Sequence, residues 1–259
     1  MDSIQPGAPL TRLRIALEQF AAAEVLRCES RRRRLSQRLV ALIPDFRRVL
    51  EVGDHPGFER LDHALHRTLI EAASVGQLVP AWEDVWKTQS AEYRGQLQEF
   101  WPELRILVEE QIYLIETLCT FDPVAIEDAI HNHLMSSWFR ALESGGGKPD
   151  GAADMLLRVT TYISYNLHRP LRLHDIARRI AFTSPGHLSR QLRLHHGVSF
   201  ARYLQRLRLE KGAELLRRTQ LTVGQIARRT GYPSASRFCE YFKRGYRQTP
   251  RRYRSLTAE

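Results

Sequence analysis

The sequence predicts an all-α protein in two parts: an N-terminal antiparallel helical bundle, then a C-terminal domain of two helix-turn-helix units joined by a long helix. Three observations carry that prediction. Apolar residues recur at three- and four-residue spacing along most of the chain, strand-like β-branched alternation is nearly absent, and the second half repeats itself with a period of fifty residues. At 259 residues the chain also exceeds one small domain, which favours two.

In the first half, Leu61, Leu65, Leu69 and Ile70 mark one apolar helix face, and Leu104, Leu107, Val108, Ile112 and Ile115 mark another. Asp122-Pro123 reads as a helix start, with aspartate as N-cap and proline first, where its missing N–H has no partner to lose. Helical order is expected to stop between Glu143 and Ala152, in the run Ser144-Gly145-Gly146-Gly147-Lys148-Pro149-Asp150-Gly151. The chain therefore divides into residues 1–143, a linker at 144–151, and residues 152–259. Tyr162, Ile163 and Leu167 open the next helix. The Arg31 to Arg34 run is expected to be a solvated turn between helices.

The repeat emerges when residues 173–193 are laid over 223–243. Leu173 falls on Val223, Ile176 on Ile226, Ala177 on Ala227, and Arg178-Arg179 on Arg228-Arg229. Ala181-Phe182 falls on Gly231-Tyr232, Ser184 on Ser234, Leu188 on Phe238, Leu192 on Phe242, and Arg193 on Lys243. Each copy reads as a short helix with a small residue (Ala177, Ala227) where a second helix crosses closely, then a tight turn. A second helix follows, capped by Ser184 or Ser234, with Pro185 reinforcing the first cap. Between the copies, Ser199 caps a segment from Phe200 to about Arg218, helical by its Tyr203, Leu204, Leu207, Leu215 and Leu216.

Charge divides along the same boundary. Residues 1–148 carry a balance of −5 and residues 149–259 one of +15, which together give the chain its +10. A cationic domain tethered to a mildly anionic one suggests a polyanion binder with a separate regulatory part. The cysteines, Cys28, Cys119 and Cys239, are odd in number and in no chelating spacing, as suits reduced thiols in a cytoplasm. Arg12, Arg14 and Glu18 interrupt the stretch where a signal peptide would need its apolar region, and no run of about 18 apolar residues suggests a membrane span.

In the second helix of each repeat the apolar pair at i, i+4 must face the core, so the residues between face out. That outward face carries His187, Ser189, Arg190 and Arg193 in the first unit, and Ser236, Arg237, Glu240 and Lys243 in the second. Side chains of these types read base edges or hold phosphates, although most surface charge runs are merely solvated. A rigid connecting helix would let both readers enter successive major-groove segments, about 34 Å apart. From Leu171 to Arg254 the chain resembles the AraC/XylS DNA-binding domain, in "SFARYLQRLRLEKGAELL", in "IARRTGYPSASRFCEYFKR" and in the terminal pattern of Pro250, Tyr253 and Arg254. The resemblance implies base contacts from Gly186, Ser189 and Arg190, and from Ala235, Ser236, Cys239 and Glu240. The second set is weak in donors, so Arg190 is the expected guanine reader, with Arg237 and Lys243 on phosphates. Two positions depart from the family: Ala181 replaces a turn glycine, and Arg247 replaces the glycine before the terminal proline.

In the first half, Asp62 and His66 stand at i, i+4, so a carboxylate and an imidazole leave one helix face at a separation that one cation bridges. His133 lies on a later helix that a bundle can bring to the same point. A helix-surface pair and a satisfied core histidine are the competing readings. Trp82, Trp86, Trp101 and Tyr113 could line a pocket or simply fill the core. The segments "TRLRIALEQFAAA", "FERLDHALHRTLIEAA" and "EEQIYLIETLCTFDPVAIEDAIHNHL", in that order, resemble the FCD sensor domain of FadR-type regulators over about residues 10 to 142. That resemblance implies one divalent metal (zinc, nickel or manganese) on Asp62, His66 and His133, with Gln111 where the family has a fourth ligand, a histidine. It also implies that Arg14 faces the carboxylate of a ligand.

Together these readings predict a sequence-specific transcription regulator that binds double-stranded DNA under control of a small organic-acid effector. Pairing into a homodimer and contact with RNA polymerase are further expectations, and no membrane is involved. Two other classes stand beside it: a metal-dependent enzyme using Asp62, His66 and His133, which lacks a general base at suitable spacing, and a non-specific DNA packager.

Overall fold

The computed structural model of the chain describes residues 9–93, 104–144 and 151–257. Every regular element among them is an α-helix, and the chain divides into two units, residues 1–144 and 145–259. No helix among the described residues is long and apolar enough to cross a membrane.

The first unit contains α1 (Pro9–Leu26), α2 (Glu29–Val40), α3 (Ile43–Val52), α4 (His55–Ala72), α5 (Leu78–Tyr93), α6 (Leu104–Leu118) and α7 (Pro123–Ser144). Helix α1 packs against α4, α5 and α7, and Ala21 and Ala22 are buried on it, where small side chains let backbones approach. Leu65, Leu69 and Ile70 of α4 and Leu107, Val108 and Ile115 of α6 lie in the core, as their spacing predicts. Asp54 caps α4, accepting from the Gly57 amide at 2.8 Å, and Asp122 caps α7 through the Ala125 amide at 2.9 Å. One expectation fails here. Arg31 to Arg34 form no turn but sit within α2, because arginine is a good helix former and Leu35 and Leu39, buried at i, i+4, anchor the helix beneath them. Arg32 lies over the Phe121 ring and Arg31 donates to the Glu24 carbonyl.

The second unit contains α8 (Gly151–Tyr165), α9 (Leu173–Arg179), α10 (Pro185–His196), α11 (Phe200–Arg218), α12 (Val223–Arg229), α13 (Ala235–Tyr246) and α14 (Pro250–Thr257). Residues 145–150 of the expected linker lie outside the described residues, while Ser144 still belongs to α7 and Gly151 already opens α8. Tyr162 and Ile163 therefore lie in the last turn of a helix instead of opening one, and Leu167 is buried beyond its end. Methionine, leucine and valine at 155, 156 and 159 give α8 its buried face upstream of them.

Both repeats take the expected form. Ala177 and Ala227 are fully buried, and so are Leu188, Leu192, Phe238 and Phe242. Ser184 and Ser234 cap α10 and α13 by accepting from the amides of His187 and Arg237, each at 3.2 Å. Thr222 forms a reciprocal capping box with Gln225 ahead of α12, whereas Arg172, ahead of α9, makes no side-chain cap. The two departures at glycine positions have visible effects. In the second turn Gly231 takes the left-handed conformation (φ 74°), but in the first the left-handed residue is Phe182 (φ 48°), one position past Ala181. After α13, Arg247 adopts φ 58° where Gly197 closes α10 at φ 71°.

Candidate metal centre and nucleic-acid interface

Three helices of the first unit each contribute a pair at i, i+4, so both members leave the same face: Arg14 and Glu18 from α1, Asp62 and His66 from α4, and Trp82 and Trp86 from α5. They converge. The Glu18 carboxylate, fully buried, accepts from Arg14 Nε at 2.8 Å and Trp82 Nε1 at 3.1 Å through Oε1, and from His66 Nδ1 at 2.7 Å through Oε2. The Arg14 guanidinium, itself buried, lies 4.3 Å from the Trp86 ring centre.

Because a carboxylate only accepts, His66 Nδ1 carries the proton and Nε2 is turned toward His133 of α7. The two Nε2 atoms are 3.3 Å apart, and Asp62 Oδ1 lies 3.7 Å from His66 Nε2. One ligand atom from each of Asp62, His66 and His133 falls within 4.8 Å of the others. The structure thus brings together the three residues singled out by sequence. It also brings Gln111, but as a neighbour of Asp62: its amide N–H donates to Asp62 Oδ1, and its buried Oε1 has no hydrogen-bond partner among the described residues. Trp82 and Trp86 flank the cluster, Tyr113 is half-buried on α6, and Trp101 lies outside the described residues.

The charges here are strongly coupled. Burial works against ionising Glu18, yet His66 and Arg14 outweigh it and hold its carboxyl far below the usual range. Burial likewise opposes a charged His66, and so does Arg14, but the Glu18 carboxylate that accepts from its Nδ1 and the neighbouring Asp62 carboxylate raise its pKa above the ordinary value. Sequence reasoning missed Glu18 as the hub. The available signal was its place four residues after Arg14, the same spacing that drew attention to Asp62 and His66.

In the second unit, helices α10 and α13 turn their apolar pairs inward and leave the predicted readers outside. Gly186, Arg190, Arg193, Ser236, Arg237 and Lys243 are exposed, while His187, Ser189, Ala235, Cys239 and Glu240 are half-buried. The helices differ in how their cations are held. Arg190 and Arg193 have no ion pair among the described residues, whereas Glu240 binds both Arg237 at 3.1 Å and Arg244 at 2.8 Å. Arg244, one turn beyond Glu240, was not among the residues picked from sequence.

Fold and sites together define a protein of two helical domains, one with a buried histidine and carboxylate centre, the other with paired helix-turn-helix units. Comparison with known proteins makes this specific: the FCD domain matches residues 10–136 and a helix-turn-helix domain of the AraC type matches residues 176–255. Over 98 residues, 38% of this chain, it is 33% identical to the regulatory protein PocR of Salmonella typhimurium. Over 95 residues, 37% of the chain, it is 37% identical to the HTH-type transcriptional regulator GlxA of Rhizobium meliloti. The chain spans about a third of the length of these curated relatives, 32% and 29%. Among solved structures, an AraC-type transcriptional regulator from Chromobacterium violaceum is 27% identical, with a TM-score of 0.39, over 42% of this chain and 96% of that one. The C-terminal domain of AraT from Geobacillus stearothermophilus is 34% identical, with a TM-score of 0.38, over 39% and 84%.

Proposed function

We propose that this chain is a transcription regulator that reads double-stranded DNA with α10 and α13 and senses a small organic acid in its FCD unit. The observation that carries the reading is the pair of capped helices, each locked by a fully buried i, i+4 pair and presenting cations outward, in the cationic part of the chain. Arg190 on α10 is the base reader, suited by its planar fork to the O6 and N7 acceptors of guanine, and Lys243 on α13 holds phosphate. Two chains paired into a homodimer would present four reading helices. The cytoplasm is the compartment where such a protein meets DNA and RNA polymerase.

The residues of the FCD centre fit a divalent cation. Tetrahedral ligation with metal–nitrogen bonds of about 2.0–2.1 Å needs nitrogens about 3.3 Å apart, and the two Nε2 atoms already stand at 3.3 Å. Glu18 supplies what such sites require behind the ligand, a carboxylate that fixes the histidine tautomer. His66, His133 and Asp62 would hold zinc, nickel or manganese, and Gln111 orients Asp62. A bound cation would offer positive charge to the carboxylate of an effector. Within the protein, Arg14 keeps Glu18 ionised, and Glu18 in turn keeps the lone pair of His66 turned inward.

Selection of duplexes from a random pool, with and without candidate carboxylic acids, tests the reading. The expected result is one enriched motif whose recovery changes with one acid. Equal recovery of all sequences would identify a packager instead, and turnover of a substrate by the chain would identify an enzyme.

A further inference from the structure

Two arginines of the second unit grip main-chain carbonyls ahead of the two short helices α9 and α12. Arg254 of α14 donates from Nε to the Leu216 carbonyl at 3.2 Å and from Nη2 to the Leu221 carbonyl at 2.5 Å, which holds the lead-in to α12. Arg208 of α11 donates from Nε to the Leu167 carbonyl at 3.0 Å and from Nη2 to the Arg169 carbonyl at 2.6 Å, which holds the lead-in to α9. The fifty-residue repeat does not relate them, since the counterpart of Arg254 is Leu204, one helical turn before Arg208.

Arg208 also meets the turn of the second repeat. A Cβ built on Gly231, in the turn of the second repeat, would collide with both the Arg208 guanidinium and the Leu167 carbonyl. The lead-in of the first repeat, the connecting helix and the turn of the second therefore meet at one point. The lead-in is itself braced: fully buried Asn166 donates to the Tyr162 carbonyl at 2.9 Å and accepts from Arg169 Nη1 at 2.9 Å. On the far side α11 closes onto α13, where a Cβ on Gly212 would fall 2.6 Å from the Phe238 ring. Beside Gly231, burial raises the Tyr232 hydroxyl to about 12 against the opposing effect of Arg208, so it stays a neutral phenol next to the guanidinium.

We infer that Arg208 is a positioning residue that fixes the separation and relative rotation of α10 and α13, and thereby the spacing of the two DNA segments they read. A guanidinium spans two carbonyls with a rigid fork; a lysine ammonium keeps the charge but cannot hold both in one geometry. The inference rests on the DNA-reading proposal for its consequence, though not for its geometry.

The test has two arms, both on the full chain. In the first, spin labels at Arg193→Cys and Lys243→Cys, with the native cysteines replaced by serine, report the distance between the helices in free protein. A narrow distribution that broadens in Arg208→Lys, with helical content unchanged, is expected. An equally narrow one overturns the inference. In the second, one base pair is inserted between the half-sites of a selected duplex, turning one about 35° from the other. The parent should lose about a hundredfold in affinity, because simultaneous engagement is broken. Arg208→Lys should lose about threefold or less, with affinity for a single half-site unchanged. Equal penalties in both proteins, or a matching loss on the single half-site, overturn the inference. Label distributions that change as expected in a chain that selects no duplex would instead remove the DNA-reading proposal and leave the positioning role standing.

Discussion

The two candidate sites treat charge in opposite ways. The first buries an arginine, a glutamate and a histidine together and satisfies them with one another, while the second keeps Arg190, Arg193 and Lys243 in water. A buried charge is tied to the fold, since removing one partner strands the rest in a medium that cannot solvate them. An exposed charge is tied to whatever the surface meets, and its influence is read in affinity and salt dependence. Mutations of the buried charges in the first unit should therefore report as stability and pH effects, and those of the exposed cations in the second as changes in binding.

The largest effect is expected at Glu18. Glu18→Ala leaves Arg14, His66 and Trp82 without their shared acceptor and should destabilise the protein by about 3–5 kcal/mol in denaturant unfolding. The same cluster sets a pH optimum for the metal-free protein. The depressed carboxyl of Glu18 stabilises fully above its unfolded value of 4.5, and this stability is lost as pH falls through the folded value. The raised pKa of His66 stabilises fully below 6.5, and that contribution is lost as pH rises through the folded value. Melting temperature should thus hold a plateau between those two values and fall on either side of it, and a profile with no fall below 4.5 or above 6.5 would show that the cluster does not control stability.

At the second unit, Arg190→Ala should cost about 1–3 kcal/mol of discrimination at one base position, measured by competition between single-base variants of the selected site. A uniform loss on all duplexes would reassign Arg190 to phosphate contact. Smaller still is Arg247→Gly. Relieving a left-handed arginine should stabilise by about 1 kcal/mol in thermal unfolding, less the extra freedom that glycine gives the unfolded chain. The smallest effect belongs to Lys243→Ala, which should leave stability within about 0.5 kcal/mol and lower the salt slope of binding by about one.

The second unit was the more legible from sequence. Its repeat fixed both apolar pairs, both serine caps and the limits of the connecting helix, because capping and amphipathic spacing are local and leave marks within a few residues. Where a local rule was broken, the outcome was not legible: without a glycine at 181 the left-handed residue of the first turn falls on Phe182, a residue type that gives no sign of that conformation. In the first unit, Asp62, His66 and His133 could be singled out, and the bundle does gather them. The hub at Glu18 could not, for its importance arises from three helices meeting around it, and a glutamate on a helix gives no sign of whether its face is wet. The Arg31 to Arg34 run shows the reverse error, where composition suggested a turn and two leucines further along settled a helix. Gln111 changed its part because its neighbour Asp62 offers an acceptor, and a contact between residues 49 apart leaves no local trace.

The connecting helix α11 has 19 residues and so runs about 28 Å as a single rod. Adding one residue to it would swing everything downstream by about 100°, so length cannot be adjusted in single steps without aiming the second reader away from its target. Insertions of seven residues nearly restore the heading and lengthen the rod by about 10.5 Å, roughly three base-pair steps. A designer wishing to retarget such a protein to differently spaced operators is thus confined to a coarse ruler, and each graduation would also carry the chain beyond the reach of its guanidinium latch.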